Sequence, residues 1–265
     1  MNKLTMGALA ILSLLTVNAY AVRSYAITEN GNFMAFDHSN PSSPYFISAV
    51  TGLMPNEKLV GIDCRPANAV VHGVGSFGNL YAINRDNGNA TMISFSSAMP
   101  NGGKFGVDFN PVPDRLRVTS NLGQNLRINV ETGIAIIDGM LNNGSGMTPN
   151  IVASAYTNSF AGATSTMLYN IDSEMDALVV QNPPNDGTLM MVANLAADLD
   201  DRTSFDIFSS NGDNRGFIVA NLPGSTSSTL HRIDLMSGAL RLQGTFRGSD
   251  RVIGFTFDTR EGRRS

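Results

Sequence analysis

Between Lys104 and Gly133, apolar and polar positions alternate in short runs that turn residues interrupt. The first run is Lys104-Phe105-Gly106-Val107-Asp108-Phe109, the second Leu116-Arg117-Val118-Thr119, and the third Asn125-Leu126-Arg127-Ile128-Asn129. A period of two over runs this short predicts half-buried β-strands. Asn110-Pro111-Val112-Pro113-Asp114 separates the first two. Its prolines fix φ and remove backbone donors, so it predicts a turn. Asn121-Leu122-Gly123 is the next turn, and Thr132-Gly133 leads into a fourth run, Ile134-Ala135-Ile136-Ile137. Four antiparallel strands in so short a segment make one propeller blade.

The same pattern recurs along the chain. A small-apolar-polar-apolar element appears at Gly61-Ile62-Asp63, Gly106-Val107-Asp108, Ser154-Ala155-Tyr156, Ser204-Phe205-Asp206 and Gly254-Phe255-Thr256. The copies are roughly 45 to 51 residues apart, which is blade length. A second element follows the first four copies: Leu80-Tyr81-Ala82-Ile83-Asn84, Leu126-Arg127-Ile128-Asn129, Leu168-Tyr169-Asn170-Ile171-Asp172 and Leu230-His231-Arg232-Ile233-Asp234. Asn87-Gly88, Thr132-Gly133 and Ser237-Gly238 then supply residues suited to tight turns.

The two ends do not match. Tyr25-Ala26-Ile27, Phe33-Met34-Ala35-Phe36-Asp37 and Tyr45-Phe46-Ile47-Ser48 resemble the second, third and fourth strands of a blade without its first. Val252-Ile253-Gly254-Phe255-Thr256-Phe257 is a first strand with nothing after it. The pattern therefore predicts an all-β, five-bladed β-propeller of four-stranded antiparallel sheets. The C-terminal strand completes the N-terminal blade and hides the sheet edges. Blades are expected near 24–50 plus 252–258, 59–95, 104–138, 151–194 and 203–245. A β-sandwich explains the short strands but not the mismatched ends.

Residues 1–21 have the form of a signal peptide. Lys3 is the charged start, Met6 to Val17 an apolar stretch too short to span a bilayer, and Ala19-Tyr20-Ala21 a small-x-small cleavage site. The expected product is a single propeller domain over 22–258 with a disordered tail at 259–265, exported to the periplasm or outside the cell, with no membrane span. The formal charge of −4 and the lack of a basic stripe argue against a nucleic-acid partner. Cys64 is the only cysteine, so no internal disulfide forms. Its place in an apolar run predicts burial as a small hydrophobe.

The recurring first strand carries Asp63, Asp108, Tyr156, Asp206 and Thr256 at its polar position, and in a propeller this strand lies nearest the axis. Asp63, Asp108 and Asp206 could there hold a structural calcium through oxygen ligands. They could also serve as the acid and base of a glycosidase. The third reading is that each accepts hydrogen bonds from a neighbouring turn and locks its blade; repetition from blade to blade favours it. Arg115, Arg117 and Arg127 surround the 110–115 turn, and Arg117 with Arg127 predicts a fork for a carboxylate or sugar. Asp114 could equally pair with Arg115 or Arg117. Tyr156 and Asn158, with Gln181 and Asn182 at the start of the Pro183-Pro184-Asn185-Asp186-Gly187 turn, suit carbohydrate or peptide binding at a propeller face. His38, His72 and His231 lack ligand spacing. Gly73-Val74-Gly75-Ser76-Phe77-Gly78 leads from strand to hairpin, the wrong context for a phosphate loop.

The blocks FGVDFNPVPDRLRVTSNLGQNLRINVETG, AYTNSFAGATSTMLYNID and QNPPNDGTLMMV, with the opening YAITENGNFMAFD and the segment GIDCRPAN, resemble the exported bacterial family catalogued as domain of unknown function 4394. The likeness covers nearly all of the chain after the leader. It departs at Cys64, where the family has an aromatic residue, and in blade five, at IVANLPGSTSSTLHRIDL. The resemblance implies an exported propeller-like domain and supplies no catalytic residue. The expected function is a non-catalytic binding or interaction module, taking carbohydrate or protein at a propeller face. The alternatives are a glycan-acting hydrolase using Asp63, Asp108 and Asp206, or a structural component of a surface assembly.

Overall fold

The computed structural model describes residues 21–263, apart from 211 and 249. Of the expected leader, residues 1–20 lie outside the described residues. β1 (Arg23–Thr28), β2 (Asn32–Asp37) and β3 (Phe46–Ala49) open the chain. β4 (Leu59–Cys64), β5 (Val71–Gly75), β6 (Asn79–Ile83) and β7 (Ala90–Phe95) form the second blade. β8 (Phe105–Asn110), β9 (Arg115–Ser120), β10 (Asn125–Ile128) and β11 (Ala135–Ile137) form the third. β12 (Ile151–Tyr156), β13 (Leu168–Asp172), β14 (Ala177–Gln181) and β15 (Leu189–Asn194) form the fourth. β16 (Ser204–Ser210), β17 (Asp213–Asn221), β18 (Ser228–Ile233) and β19 (Leu240–Thr245) form the fifth. β20 (Val252–Phe257) returns to pair with β1, giving the order β20-β1-β2-β3 in the first blade. The protein is a five-bladed β-propeller, each blade a four-stranded antiparallel meander.

The seam is made as the mismatched ends predict. Tyr25 lies opposite Thr256, Ala26 opposite Phe255 and Ile27 opposite Gly254. The Asp250 carboxylate, just before β20, accepts bonds from the Thr28 hydroxyl at 2.5 Å, the Asn30 amide at 3.1 Å and the Asn32 side chain at 2.8 Å. Phe217 and Phe255 both pack edge-to-face on Phe257, with centroids 5.0 Å apart in each pair. Aromatic rings bury much apolar area and favour this geometry, so the last strand is gripped from the fifth blade as well as from β1.

Burial follows position in the blade. β12 is buried at every residue, because neighbouring blades cover both faces of an inner strand. The outer strands β7 and β15 are mostly exposed. Gly88, Gly133 and Gly238 hold φ of 74°, 73° and 69° at equivalent turns before the outer strand. A side chain on Gly133 would strike the backbone of Phe95 in the preceding blade. Residues 259–263, the start of the expected tail, form a turn and a 3-10 helix at Glu261–Arg263, with Thr259 buried. Among the described residues no helix is long and apolar enough to cross a membrane.

The inner strands approach closely enough to demand small residues. A Cβ on Gly106 would lie 2.6 Å from the Ser154 amide nitrogen, a backbone atom that cannot move aside. Gly103, with no atom within 4 Å of its Cβ position and no positive φ, is unconstrained. We expect Gly106→Ala to destabilise the protein by about 1–3 kcal/mol and Gly103→Ala to lie within about 0.5 kcal/mol of the parent. Urea unfolding of the two variants checks this.

Candidate functional site

Backbone pairing aligns the inner strands level by level. β4, β12 and β20 each carry a β-bulge, at Val60, Val152 and Ile253. Their equivalents are Phe105 and Thr203, and these five side chains stand around the axis at the entrance. The next level is Gly61, Gly106, Ala153, Ser204 and Gly254, and two residues further on come Asp63, Asp108, Ala155, Asp206 and Thr256. The repeat read from sequence placed Tyr156 at this polar position, and the bulge at Val152 corrects it to Ala155. The run Ala153-Ser154-Ala155 satisfies the small-residue rule in more than one frame, so the sequence pattern could not choose.

The polar level stitches neighbouring blades together. Asp63 accepts from the Phe109 amide of the next blade at 2.8 Å, and Asp108 from the Tyr156 amide at 3.3 Å. Asp206 accepts from the Phe257 amide at 2.8 Å, and the Thr256 hydroxyl oxygen accepts from the Cys64 amide at 3.0 Å. Ala155 makes no such rung. The Ile207 amide, which that rung would have engaged, donates instead to the Asp206 carboxylate in its own strand at 2.6 Å. A buried amide needs an acceptor, and a neighbouring carboxylate supplies it.

Asp63, Asp108 and Asp206 converge as expected, with oxygens within 4.8 Å of one another, and all are buried. Burial pushes Asp63 up to about 6 despite the amide and hydroxyl bonds it accepts. Burial, then the nearby Asp63 charge, pushes Asp206 up to about 8. Asp108 is raised well above its ordinary range by burial and by both neighbours. Like charges this close do not all ionise together, so the hub holds protons at neutral pH. Calcium takes about six to eight oxygens. Both oxygens of Asp63 and both of Asp206 already accept N–H or O–H bonds, which leaves this donor set short of that number. The hub fits protons better than calcium. Burial likewise pushes the Cys64 thiol up to about 12, so it is the inert small hydrophobe expected.

The arginine fork exists, but the protein fills it. Arg117 is fully buried. It donates to Asp138 at 2.6 Å, Asn125 at 2.7 Å, Asn185 at 3.0 Å and the Tyr156 hydroxyl at 3.1 Å. Arg127 grips the same Asp138 through both its Nε, at 2.6 Å, and a terminal nitrogen, at 2.8 Å. Gln181 donates to the Pro184 carbonyl at 2.6 Å and accepts from Asn170 at 3.0 Å. Arg117, Tyr156 and Gln181, read from the sequence as ligand contacts, thus form a buried joint between blades three and four with their polar groups engaged inside the protein. Arg115 donates to the carbonyls of Pro113 and Asp114. Asp114 pairs with Arg65 of the preceding blade at 2.8 and 2.5 Å, not with Arg115 or Arg117. Asn158 is tied to Asn214 and Ser165, while Asn182 is exposed, so these four residues share no open surface.

A different site opens at the entrance to the axis. A funnel of ≈ 360 Å³ has Val60, Phe105, Val152, Thr203 and Ile253 at its floor and Glu29, Lys58, Lys104, Asp201 and Arg202 around it. Beneath the floor only ≈ 20 Å³ remains, at the level of Gly61 and Gly106. Arg202 is paired with Glu29 and Asp200, each at 2.9 Å. Among the described residues, Lys58 and Lys104 enter no ion pair. The Thr203 and Ser204 hydroxyls are buried without a hydrogen-bond partner. Sequence reasoning missed this site. The signal available was that Lys58 and Lys104 are the only lysines after Lys3, each just ahead of an inner strand.

Residues 32–256 match the family described as Domain of unknown function (DUF4394). No curated protein compared with the chain matches it. Among solved structures, it is similar to a structural-genomics protein of unknown function from Bacteroides thetaiotaomicron, at 14% identity and a TM-score of 0.48. That alignment covers 84% of this chain and 58% of the other. An auxiliary nutrient binding protein from Bacteroides ovatus aligns at 15% identity and a TM-score of 0.44, over 73% of this chain and 55% of the other. A protein from Lactobacillus plantarum aligns at 15% and 0.42, over 88% and 70%. The chain thus spans under two thirds of the first two.

The hub sets a pH dependence with a definite sign. Each folded value exceeds the ordinary 3.8, so between about pH 4 and 8 the folded protein holds protons that the unfolded chain has released. The hub's contribution to stability is fully present below this window and is lost as pH rises through it. Each pH unit per proton is about 1.4 kcal/mol, or about 3–6 °C in melting temperature for a domain of this size. Asp108→Asn keeps an acceptor for Tyr156 and removes one charge, so it is expected to melt above the parent at pH 8 and to flatten the profile. Added calcium should leave the melting temperature unchanged. A calcium-dependent rise that Asp108→Asn abolishes would place a cation in the hub instead.

Proposed function

Since the chain belongs to the Domain of unknown function (DUF4394) family, from which no activity transfers, we propose that it is an exported, non-catalytic binding module whose ligand sits in the axial funnel. One observation carries this reading. The open concavity holds two lysine charges that the protein leaves without ion-pair partners, with the unpartnered Thr203 hydroxyl buried at its floor, while the carboxyl cluster lies sealed beneath the small-residue level. Ligand sites are concave, largely apolar and furnished with a few convergent polar groups. A rigid ring suits this work, since the floor residues sit on inner strands and the rim residues on adjoining loops.

The same geometry weighs against the hydrolase. Glycoside chemistry needs two carboxyl groups flanking the scissile bond with the sugar between them. Asp63, Asp108 and Asp206 are buried, and the ≈ 20 Å³ above them holds about one water and no sugar. Export rests on the leader pattern of Lys3, the apolar run and Ala19-Tyr20-Ala21.

Gly103→Trp tests the funnel, because position 103 lines it and accepts a side chain without a clash. Against a panel of oligosaccharides and short peptides, we expect at least one to raise the melting temperature of the parent and to lose that effect in Gly103→Trp. A shift that survives the block places the ligand elsewhere. The mature N-terminus of protein recovered from expressing bacterial cells should begin at Val22; an intact Met1 would remove export.

A further inference from the structure

The funnel differs in charge from the molecule that carries it. The chain is acidic overall, with a formal charge of −4, yet its only two lysines beyond Lys3 both line this one cavity. Around them, Arg202 is neutralised by Glu29 and Asp200. Asp201 is held by Asn150 at 2.9 Å and Ser173 at 2.7 Å. Lys58 and Lys104 have no such partner among the described residues, so two positive charges stay free at the mouth.

The floor supplies a second, independent feature. Thr203, on that floor, is 2% exposed, and its hydroxyl finds no partner within the protein. An unpaired buried hydroxyl destabilises the fold, and valine could fill position 203 as it does 60 and 152. Phe105, half-buried on the same floor, offers an aromatic edge or face. Free ammonium groups at the rim, an idle hydroxyl at the base and an aromatic wall together match a small molecule that has a carboxylate, a hydroxyl and an apolar ring face.

We propose that the funnel binds a sugar acid. Lys58 and Lys104 take its carboxylate, Thr203 takes a ring hydroxyl, and Phe105 lies against the ring. The inference rests on the funnel being the binding site, and it adds the chemical class of ligand. Charge-assisted hydrogen bonds to the ammonium groups supply the selectivity against neutral sugars.

Titration calorimetry and thermal shift with galacturonate, galactose and inorganic phosphate test it. Galacturonate should bind, galactose much more weakly, and Lys58→Gln/Lys104→Gln should weaken galacturonate by about tenfold or more. Raising the salt concentration should weaken it too. Thr203→Val separates a ligand role from a structural one. It should raise the melting temperature of the free protein, by removing an unpaired hydroxyl, and still weaken galacturonate. Galactose binding as tightly as galacturonate, with no effect of the lysine double variant, overturns the sugar acid. If Gly103→Trp abolishes that galactose binding, the funnel remains the binding site. Phosphate binding as well as galacturonate, untouched by Thr203→Val, overturns the role of the Thr203 hydroxyl and with it the proposal. Galacturonate binding undiminished in Gly103→Trp overturns the funnel itself.

Discussion

Five inner strands converge on one axis, and the space they leave one another governs the rest of the molecule. At one level nothing larger than Gly61, Gly106, Ala153, Ser204 and Gly254 occupies the crowded position. At Gly106 the facing atom is the backbone of the next blade. Such crowding closes the centre to solvent. It creates two separate environments on the axis, an open funnel above and a sealed hub below. Close-packed interiors transmit this kind of constraint because they have little free volume to absorb a change.

The hub answers a problem that the crowding creates. Inner strands pair on one edge only, so their other edge presents amides toward the axis, and buried amides require acceptors. Carboxylates from the preceding blade meet that need at Phe109, Tyr156 and Phe257, and Thr256 meets it at Cys64. Where Ala155 offers nothing, Asp206 turns one oxygen to its own strand. Three carboxyls in so small a space repel one another when ionised. The device that joins the blades therefore also makes the ring's stability depend on pH. Removing charge while keeping an acceptor relieves the repulsion and leaves the rungs in place.

Away from the axis, polar residues between blades are almost all spoken for. Arg117 and Arg127 converge on Asp138, Arg65 reaches Asp114 across a blade boundary, and Asp250 ties the seam. Burying an arginine is tolerable only when its donors are matched, and Arg117 matches them with Asp138, Asn125, Asn185 and Tyr156. Against this background the funnel lysines, Lys58 and Lys104, stand apart in having no ion-pair partner among the described residues.

The blade count, the strand order within each blade and the closure of β20 on β1 follow from the linear pattern of residues. Period-two alternation and turn residues are local properties, and mismatched ends leave one economical way to hide an edge. It also determined that Asp63, Asp108 and Asp206 meet, because equivalent positions on inner strands face one axis. It did not determine that Ala155 takes the fourth blade's place in that ring, since three small residues in succession fit more than one frame. Which polar residues already have partners follows from the folded chain alone. Arg117 and Arg127 resemble a ligand fork until Asp138, supplied from beyond β11, is seen between them. Lys58 and Lys104 resemble ordinary surface residues until the ring brings them to one cavity. Whether a charge is free depends on what other segments place beside it, and that is fixed by packing across blade boundaries.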